Sequence, residues 1–437
     1  MSSASRVTSS TKLKRLLVFN CSEIVQVVNN GQLYLSGKDM ANIAVLRPRN
    51  DEDSLALATD ADGNILEMGS TAEVTKKFSP EEFEKVVDAQ KGSLMPGFVD
   101  GHTHPIWSGD RVHEFALKLR GASYMEIHKN KGGIHYTVEC TRAESDATLK
   151  EFLAKRLRLM ARSGTTAAEC KTGYGLWLKD ELRLLGLLNE VRGQSDFIDM
   201  SLTYLGAHAV PRDFNGTPDL YAEKIANEDL PLLKEKVAFD NVDVFCERGV
   251  FEVKASEVIL KRAKELGYQL NFHAEELSCI NGVEMGCSLG ARAMSHLECI
   301  SDKGIETMAT TKAAAVVLPT TAHVLRIAPP PVRRMIEGGT VVALGSDFNP
   351  NAFCYAMPTV MHLACVQCHM TLEEALVAAT LNAAYSIGRS HRFGSLEVGK
   401  EANLVLIRES KWEHILYQLG CHSDLIRNVF RKGRVVE

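Results

Sequence analysis

Residues 98–104 read Phe98-Val99-Asp100-Gly101-His102-Thr103-His104. The apolar start of this stretch predicts a buried strand, and its two histidines stand at the strand's end, two positions apart. Side chains at positions i and i+2 of a strand point to the same side, so both imidazoles can reach one ion. Polar side chains at the carboxyl ends of buried parallel strands are typical of the active-site face of a β/α barrel. The stretch therefore predicts the fold class and the position of a functional site together.

The same pattern, a buried apolar run followed by an amphipathic helix, repeats along the chain. Eight such runs lie at 97–100, 164–169, 200–205, 242–246, 269–272, 291–295, 313–318 and 340–344. Helices are predicted between them, for example over 149–162, 179–191, 255–266 and 301–309. Eight βα units predict an α/β protein with a (β/α)₈ TIM-like barrel over 97–390, since that fold typically takes about 250 residues.

The residues on either side of the barrel read as short β segments. Turn sequences such as Asn29-Asn30-Gly31 divide residues 16–96, and a charged helix is expected over about 80–88. Residues 391–437 contain strand-like runs at 403–407 and 429–436. Because these late strands have no partner in a closed barrel, we expect a composite β-sandwich domain formed by both chain ends.

Composition narrows the class of protein. Fifty Lys and Arg against 55 Asp and Glu leave a formal net charge of -5, which disfavours a nucleic-acid or anionic-membrane binder. Eleven cysteines, without an apolar secretory segment, are expected to be free thiols in a reducing, cytoplasmic setting. The basic, Ser/Thr-rich residues 1–15 are expected to be a disordered tail, with organelle targeting as the alternative. The expected partner is therefore a small molecule, with no nucleic acid and no membrane.

Further polar residues stand where later strands end. His273 and Glu276 follow the fifth strand, His296 the sixth and Asp347 the eighth. Together with the His-x-His pair they predict one metal site rather than scattered structural histidines, and nitrogen ligands with one carboxylate suit zinc or iron. A two-metal site needs a bridging ligand, often a lysine at the end of the fourth strand. Here that position reads Cys246-Glu247-Arg248, so a single metal ion is favoured.

Glu276 is placed to carry protons beside a metal-activated water, three residues beyond a predicted ligand. A simpler interpretation, an acid that stabilises a helix N-terminus, is compatible with the first. Cys246 is a candidate nucleophile, but the nearest base, His273, is better used on the metal. The pair Cys365-x-x-Cys368, flanked by His362 and His369, resembles half a zinc site, and packing on a helix is the favoured explanation.

These motifs and the closing segment 394–406 resemble the metal-dependent amidohydrolase superfamily. Further stretches are similar to one branch of it, enzymes that open an imidazolone ring in histidine degradation: Gly132-Gly133-Ile134, Lys171-Thr172-Gly173-Tyr174-Gly175, Gly206-Ala207-His208-Ala209, His273-Ala274-Glu275-Glu276 and Asp347-Phe348-Asn349-Pro350. The resemblance implies a homodimeric hydrolase that opens the ring of 4-imidazolone-5-propanoate to N-formimidoyl-L-glutamate with one Zn²⁺ or Fe³⁺ per subunit.

The resemblance also implies roles for single residues. The metal ligands would be His102, His104, His273 and Asp347, and the catalytic residues Glu276 as proton shuttle, His296 beside the water and oxyanion, and Asp347. The substrate-binding residues would be Arg111 on the propanoate carboxylate, with Tyr124, Tyr174, His208, Glu276 and Asn349. The chain departs from the bacterial pattern at Asn351-Ala352, where a Gly-Ser or Gly-Thr pair is expected. An animal-type branch shares this variant, and the contacts at these two positions stay open.

Two other functions remain. A deaminase of the same superfamily uses the same His-x-His, His-x-x-Glu, His and Asp set on an amidine carbon, although a carboxylate-reading Arg111 argues against a nucleobase. A non-catalytic scaffold is the second alternative, since some barrels of this superfamily have lost their ligands. The presence of all the expected ligands in this chain argues against it.

Overall fold

The computed structural model describes residues 13–50, 52–121 and 132–436. The first seven strands are β1 (Lys14–Cys21), β2 (Glu23–Val27), β3 (Ala44–Leu46), β4 (Leu55–Thr59), β5 (Ile65–Ser70), β6 (Phe83–Asp88) and β7 (Ser93–Pro96). The next eight are β8 (Phe98–Thr103), β9 (Thr165–Lys171), β10 (Asp199–Ala207), β11 (Asn241–Cys246), β12 (Gln269–Ala274), β13 (Ala293–His296), β14 (Ala314–Val317) and β15 (Val341–Leu344). The last are β16 (Leu404–Ile407), β17 (Ile426–Arg431) and β18 (Arg434–Val435).

Helices separate most of these strands. Those of the described residues span Thr71–Lys77, Val112–Leu119, Gly133–Ala143, Asp146–Arg162, Leu178–Val191, Pro218–Lys224, Leu230–Lys236, Val253–Glu265, Gly282–Leu289, Asp302–Thr311, Pro319–Leu325, Val332–Glu337, Met357–Cys368, Leu372–Ala378, Leu381–Ser386, His414–Tyr417 and His422–Leu425. Short 3₁₀ turns lie at Gly37–Ala41 and Pro80–Glu82, and a π-helical turn at Ile225–Asp229.

The barrel is built from β8 to β15. These strands lie side by side in chain order, and every neighbouring pair is parallel. The two edges approach each other through a bridge between Thr103 and Phe348, and the amide of Asp347 donates to the carbonyl of His102 at 2.9 Å. The eight predicted strands and the barrel are confirmed, and this closure brings the last functional segment beside the first.

The helix Asp146–Arg162 illustrates why the outer layer forms. Ser145 caps its first turn by accepting a hydrogen bond from the amide of Thr148 at 3.1 Å. The apolar residues of the helix recur at helical spacing, so one stripe faces the barrel and is buried: Leu149, Leu153, Leu157 and Met160. The helix predicted over 149–162 is confirmed, and it begins three residues earlier, at Asp146, directly after the cap.

The chain ends form two sheets. One has the strand order β5-β4-β1-β6, and the other has the order β18-β17-β16-β7-β2-β3, so N-terminal and C-terminal strands share it. β16 pairs antiparallel with β7, placing Leu404 opposite Pro96. The buried residues between the sheets come from both ends of the chain, among them Leu16, Ile24, Leu57 and Phe430. The predicted composite sandwich is therefore confirmed, and we propose its boundaries with the barrel near residues 96 and 390.

Two expectations for the N-terminal region are wrong. Residues 83–88 form β6, which pairs parallel with β1, and not the end of a charged helix. Phe83 and Val87 are buried while Glu84, Lys85 and Val86 are exposed. Because the strand buries only two side chains, its charged sequence does not show the apolar pattern of a strand. The tail predicted over 1–15 is wrong at its end, because β1 begins at Lys14 and Arg15 donates to the carbonyl of Asp62 at 2.8 Å. Residues 1–12 lie outside the described structure.

Two further findings concern the cysteines and the helices. All eleven cysteines are free thiols, as the composition predicts. Within the described ranges, no helix is both long enough and apolar enough to cross a membrane.

Candidate active site

Three ligand-type atoms converge at the open end of the barrel. Nε2 of His102 lies 3.2 Å from Nε2 of His104, and Oδ1 of Asp347 lies 3.5 Å and 3.6 Å from these two nitrogens. Ligands about 2.0–2.2 Å from one tetrahedral ion lie about 3.3–3.6 Å from each other. The three atoms therefore have the spacing that a single bound ion requires.

Each histidine of the predicted ligand set is held by its other ring nitrogen. Nδ1 of His102 lies 2.8 Å from the Ser295 hydroxyl, Nδ1 of His104 donates to the Thr172 carbonyl at 3.3 Å, and Nδ1 of His273 donates to Asp243 at 3.0 Å. A carbonyl and a carboxylate can only accept, so His104 and His273 carry hydrogen on Nδ1. Their Nε2 lone pairs are then available to a metal, as is usual for metal-binding histidines.

The charge state of these histidines also fits a metal. Burial lowers the pKa of His102, His104 and His273 well below the usual value, so the rings are neutral near pH 7. Neutral imidazole is the form that binds metal ions. The ligand atoms of His102, His273 and His296 also lie within 4.8 Å of one another. The geometry alone thus allows His296 to contact either the ion or a water beside it.

Asp347 is fixed by its surroundings. Its Oδ2 accepts a hydrogen bond from the Thr321 hydroxyl at 2.5 Å, and its Oδ1 accepts from the Asn349 amide at 2.8 Å. Burial raises the pKa of Asp347 to about 6. Its backbone φ of 50° is uncommon for a residue other than glycine, a kind of strain that concentrates at functional sites. The carboxylate is therefore oriented before any ion binds.

Glu276 and His296 form a second group beside the converging atoms. Oε2 of Glu276 lies 3.8 Å from Nε2 of His296, and both side chains are buried. Burial raises the pKa of Glu276 well above its usual range, with the nearby carboxylates adding to the effect. A carboxyl group with a raised pKa can hold and release a proton near neutral pH, which suits the proton-carrying role predicted for it.

One cavity contains most of the predicted residues. Its walls include nine of them: His104, Arg111, Tyr174, His208, His273, Glu276, His296, Asp347 and Asn349. His102, on strand β8, is fully buried and does not line this cavity. The predicted Tyr124 lies outside the described residues. The residues predicted from distant parts of the chain are therefore brought together.

Arg111 enters the cavity as part of a buried ion pair. Its Nε and Nη2 both lie 2.7 Å from Oε2 of Glu114, and the other oxygen of Glu114 accepts from the amide of Gly133 at 2.7 Å. Both charged side chains are at most 4% exposed, so this is not a surface salt bridge. The pair holds a guanidinium against the cavity wall, where it can bind an anionic group.

Tyr174 and His208 cover another side of the cavity. Their rings lie 5.4 Å apart, and the His208 ring stacks on His104 at 5.2 Å. Nδ1 of His208 donates to the carbonyl of Gly173 at 2.9 Å. Gly173 has φ of 111°, and a Cβ there would lie 2.7 Å from the His208 ring. Glycine is therefore required for the close approach of these two loops.

Asn349 has a structural task in addition to its place on the cavity wall. Its amide nitrogen donates to the main chain and the carboxylate of Asp347, both at 2.8 Å. Its oxygen accepts from the amides of Asn351 at 2.6 Å and Ala352 at 3.2 Å. Asn349 thus holds Asp347 and Asn351-Ala352, the pair that differs from the bacterial pattern, in one turn. Asn351 also lines the cavity.

Two residues that support the site, Asp243 and Glu181, were not predicted from the sequence. Asp243 holds His273, and Glu181 accepts hydrogen bonds from the amides of Gly175 at 2.7 Å and Leu176 at 2.9 Å, which shapes the loop carrying Tyr174. An acid inside an apolar strand, as in Val242-Asp243-Val244, was the available signal for Asp243. Glu181 resembles any acid in the first turn of a helix, so no comparable signal existed for it.

The two cysteine alternatives find no support among the described residues. Burial raises the pKa of the Cys246 thiol to about 12, which leaves it a poor nucleophile. Cys365 and Cys368 lie on the helix Met357–Cys368, and neither belongs to a group of metal-ligand atoms. Nδ1 of His362 is instead directed to the carbonyl of Leu416, 2.9 Å away. Helix packing accounts for this motif.

The chain is similar to a known protein family and to several named proteins. Residues 93–436 match the Amidohydrolase family. A human protein named "Probable imidazolonepropionase" is 47% identical over 426 residues, covering 96% of this chain and 98% of the human protein. A protein of the same name from Dictyostelium discoideum is 44% identical over 427 residues, covering 97% of this chain and 98% of that protein.

Solved structures agree on the fold. A zinc-bound adenosine deaminase from Xanthomonas campestris has a TM-score of 0.69 at 17% identity, covering 97% of this chain and 92% of that chain. The guanine deaminase of E. coli has a TM-score of 0.66 at 16% identity, covering 98% of this chain and 99% of that chain. Because the family match spans most of the chain and the human relative nearly all of it, this chain belongs to the amidohydrolase family.

Proposed function

We propose that the protein hydrolyses 4-imidazolone-5-propanoate to N-formimidoyl-L-glutamate, the imidazolonepropionase reaction of histidine degradation. The observation that carries this proposal is one cavity in which a buried arginine, Arg111, shares the walls with metal-ligand side chains. The substrate ring is a cyclic amide, and its propanoate is an anion that a guanidinium binds well. Relatives at 44–48% identity over nearly the whole chain, named "Probable imidazolonepropionase", support the same reaction.

The metal proposed for this reaction is one Zn²⁺ or Fe³⁺ per subunit, held by His102, His104, His273 and Asp347. A bound ion of this kind lowers the pKa of a water molecule towards neutrality and polarises a carbonyl group. The neutral imidazoles and the spacing of the His102, His104 and Asp347 ligand atoms support this donor set. Elemental analysis of the purified protein distinguishes the two metals.

The protein's own residues would handle the protons. Glu276 takes a proton from the attacking water while the water oxygen adds to the ring carbonyl carbon. His296, whose Nε2 faces Glu276 at 3.8 Å, stabilises the negative charge that develops on the carbonyl oxygen. Glu276 then gives the proton to the ring nitrogen as the carbon–nitrogen bond breaks. The carbonyl carbon becomes a carboxylate as the second proton of the water is released to solvent, and the nitrogen stays in the formimidoyl group.

The other cavity residues would position the substrate. Arg111, oriented by Glu114, binds the propanoate carboxylate, while Tyr174 and His208 pack against the ring and exclude water from it. Asn349 keeps Asp347 in place and lines the same wall. Tyr124 is proposed as a further substrate contact on the family resemblance.

Replacing Arg111 with methionine should raise KM for imidazolone propanoate by roughly 10- to 150-fold, since a hydrogen bond to a charged group contributes about 1.5–3 kcal/mol. kcat should change much less, because the carboxylate lies outside the reacting amide and is bound equally in ground and transition states. Steady-state kinetics measures both values. Arg212→Met, which breaks the more exposed pair with Glu139, serves as the control. An unchanged KM in the Arg111 variant would mean that another group binds the propanoate.

The function itself is tested by incubating metal-loaded protein with imidazolone propanoate and following the absorbance of the ring. Loss of absorbance with formation of formimidoylglutamate is the expected result. An absence of turnover by the metal-loaded protein would refute the proposal. Release of ammonia from purine or amidine substrates would favour a deaminase, and protein that binds no metal would favour a scaffold.

The proposed setting is the cytoplasm, and the proposed assembly is a homodimer. The eleven free thiols support a reducing compartment. The homodimer rests on the family resemblance, and light scattering should give a mass of twice the chain.

A further inference from the structure

We infer that Lys171 is a positioning residue for His273 and acts on it through Asp243. The inference rests on the proposed function, because it gives His273 the role of metal ligand. Lys171 is fully buried and does not line the cavity that contains the proposed substrate contacts, so the role inferred for it is positioning rather than substrate binding. It also lies in the Lys-Thr-Gly-Tyr-Gly stretch, whose tyrosine is the member that lines the cavity.

Lys171 lies at the centre of a buried charged group inside the barrel. Its Nζ lies 2.8 Å from Oδ2 of Asp243 and 2.9 Å from Oε2 of Glu169, and it donates to the carbonyl of Asn271 at 3.5 Å. Lys171 and Asp243 are 0% exposed, and Glu169 is 1% exposed. One ammonium therefore connects strands β9, β11 and β12 where water cannot replace it.

The contact continues from Asp243 to the proposed ligand. Oδ1 of Asp243 accepts from both the amide and Nδ1 of His273, each at 3.0 Å. Oδ2 lies 2.9 Å from the same Nδ1, so both oxygens of the carboxylate hold this ring nitrogen. Because Nδ1 donates to Asp243, the other nitrogen of His273 keeps its lone pair for a metal.

Lys171 is what holds that carboxylate in place. Among the described contacts, Oδ2 of Asp243 lies 2.8 Å from the Lys171 ammonium and 2.9 Å from Nδ1 of the neutral His273 ring, so Lys171 is the cation beside it. Burial works against the charged form of Lys171, but attraction to Asp243 and Glu169 outweighs it and raises the pKa of the ammonium. Without this cation, Asp243 and Glu169 would be buried anions facing each other with no charge between them. Asp243 could then no longer hold the His273 ring in the orientation described.

Lys171→Met should weaken metal affinity about 10- to 100-fold, the cost that the loss of an outer partner of a metal ligand usually brings. Asp243→Asn should weaken it by a similar factor. Affinity is measured by competition of Zn²⁺ with a chelator of known strength, together with the unfolding temperature of the metal-free protein. The matched control is Lys400→Met, which removes another buried lysine, paired with Glu397 at 3.0 Å in the segment after the barrel. It should lower the unfolding temperature and leave metal affinity unchanged.

A double variant separates positioning from stability. Glu169→Gln with Lys171→Met removes one charge of each sign, so the unfolding temperature should recover relative to Lys171→Met, while Asp243 still lacks its cation and metal affinity should stay low. Recovery of affinity in the double variant, or unchanged affinity in Lys171→Met, would overturn the inference. The titration is independent of substrate. A wild-type protein that binds Zn²⁺ but leaves imidazolone propanoate intact would therefore refute the proposed function while the Lys171 inference is still decided.

Discussion

Replacing His273 with alanine should leave the protein unable to hold its metal ion and without turnover. The ligand atom of His273 lies within 4.8 Å of those of His102 and His296. Its ring is fixed between Asp243 and the other imidazoles, with the His102 ring centroid 4.5 Å away. Loss of an outer partner already costs roughly 10- to 100-fold in metal affinity, so loss of a ligand should cost more. Metal content after dialysis and the rate of ring opening measure the two losses.

A matched histidine variant keeps this result interpretable. His362 lies on the helix Met357–Cys368 and is directed to the carbonyl of Leu416, away from the cavity. His362→Ala should retain metal and turnover. That result would also argue against a zinc site formed by Cys365 and Cys368 with this histidine. Full metal content in His273→Ala would show that the ion lies elsewhere, for example with His296 as the ligand in its place.

The positions of the barrel strands could be predicted because burial on both faces demands apolar runs, which are visible in a single sequence. The proposed ligands could be located because they directly follow those runs, at the edge of the sheet where the carboxyl ends of the parallel strands lie. Strand β6 could not, since it buries only Phe83 and Val87 and exposes the charged residues between them. From the sequence alone, a stretch with so many charged residues is typical of a surface helix. Its pairing with β1, which shows it to be a strand, is visible only in the structure.

The residues that hold the proposed ligands in place could not be predicted from the sequence for a different reason. Lys171 and Asp243 stand 72 residues apart in the sequence, and they come into contact because β9 and β11 flank the same strand, β10, in the barrel. Arg111 was predicted to bind an anion, but its partner Glu114 was not. A sequence identifies the kind of side chain at each position, whereas the partner of a buried charge depends on the folded chain.

Replacing Glu276 with glutamine should retain the metal ion and remove turnover. Glu276 is not a member of the described groups of metal-ligand atoms, and glutamine has nearly the same size, so the ion should bind as before. An amide can neither take the proton of the attacking water nor return it to the leaving nitrogen. Positioned proton transfer typically contributes about 100- to 10,000-fold, and the rate should fall by that order. Metal content and kcat, measured on the same preparation, test the two parts.

The neighbouring acid provides the control, because it allows the same substitution one residue away. Glu275 is fully buried, is absent from the cavity walls, and accepts from the amide of Gly282 at 3.0 Å, which glutamine can also do. Glu275→Gln should therefore keep both metal and turnover. A Glu276→Gln protein with the wild-type rate would mean that another group moves the proton. One that lost its metal would instead place Glu276 among the ligands.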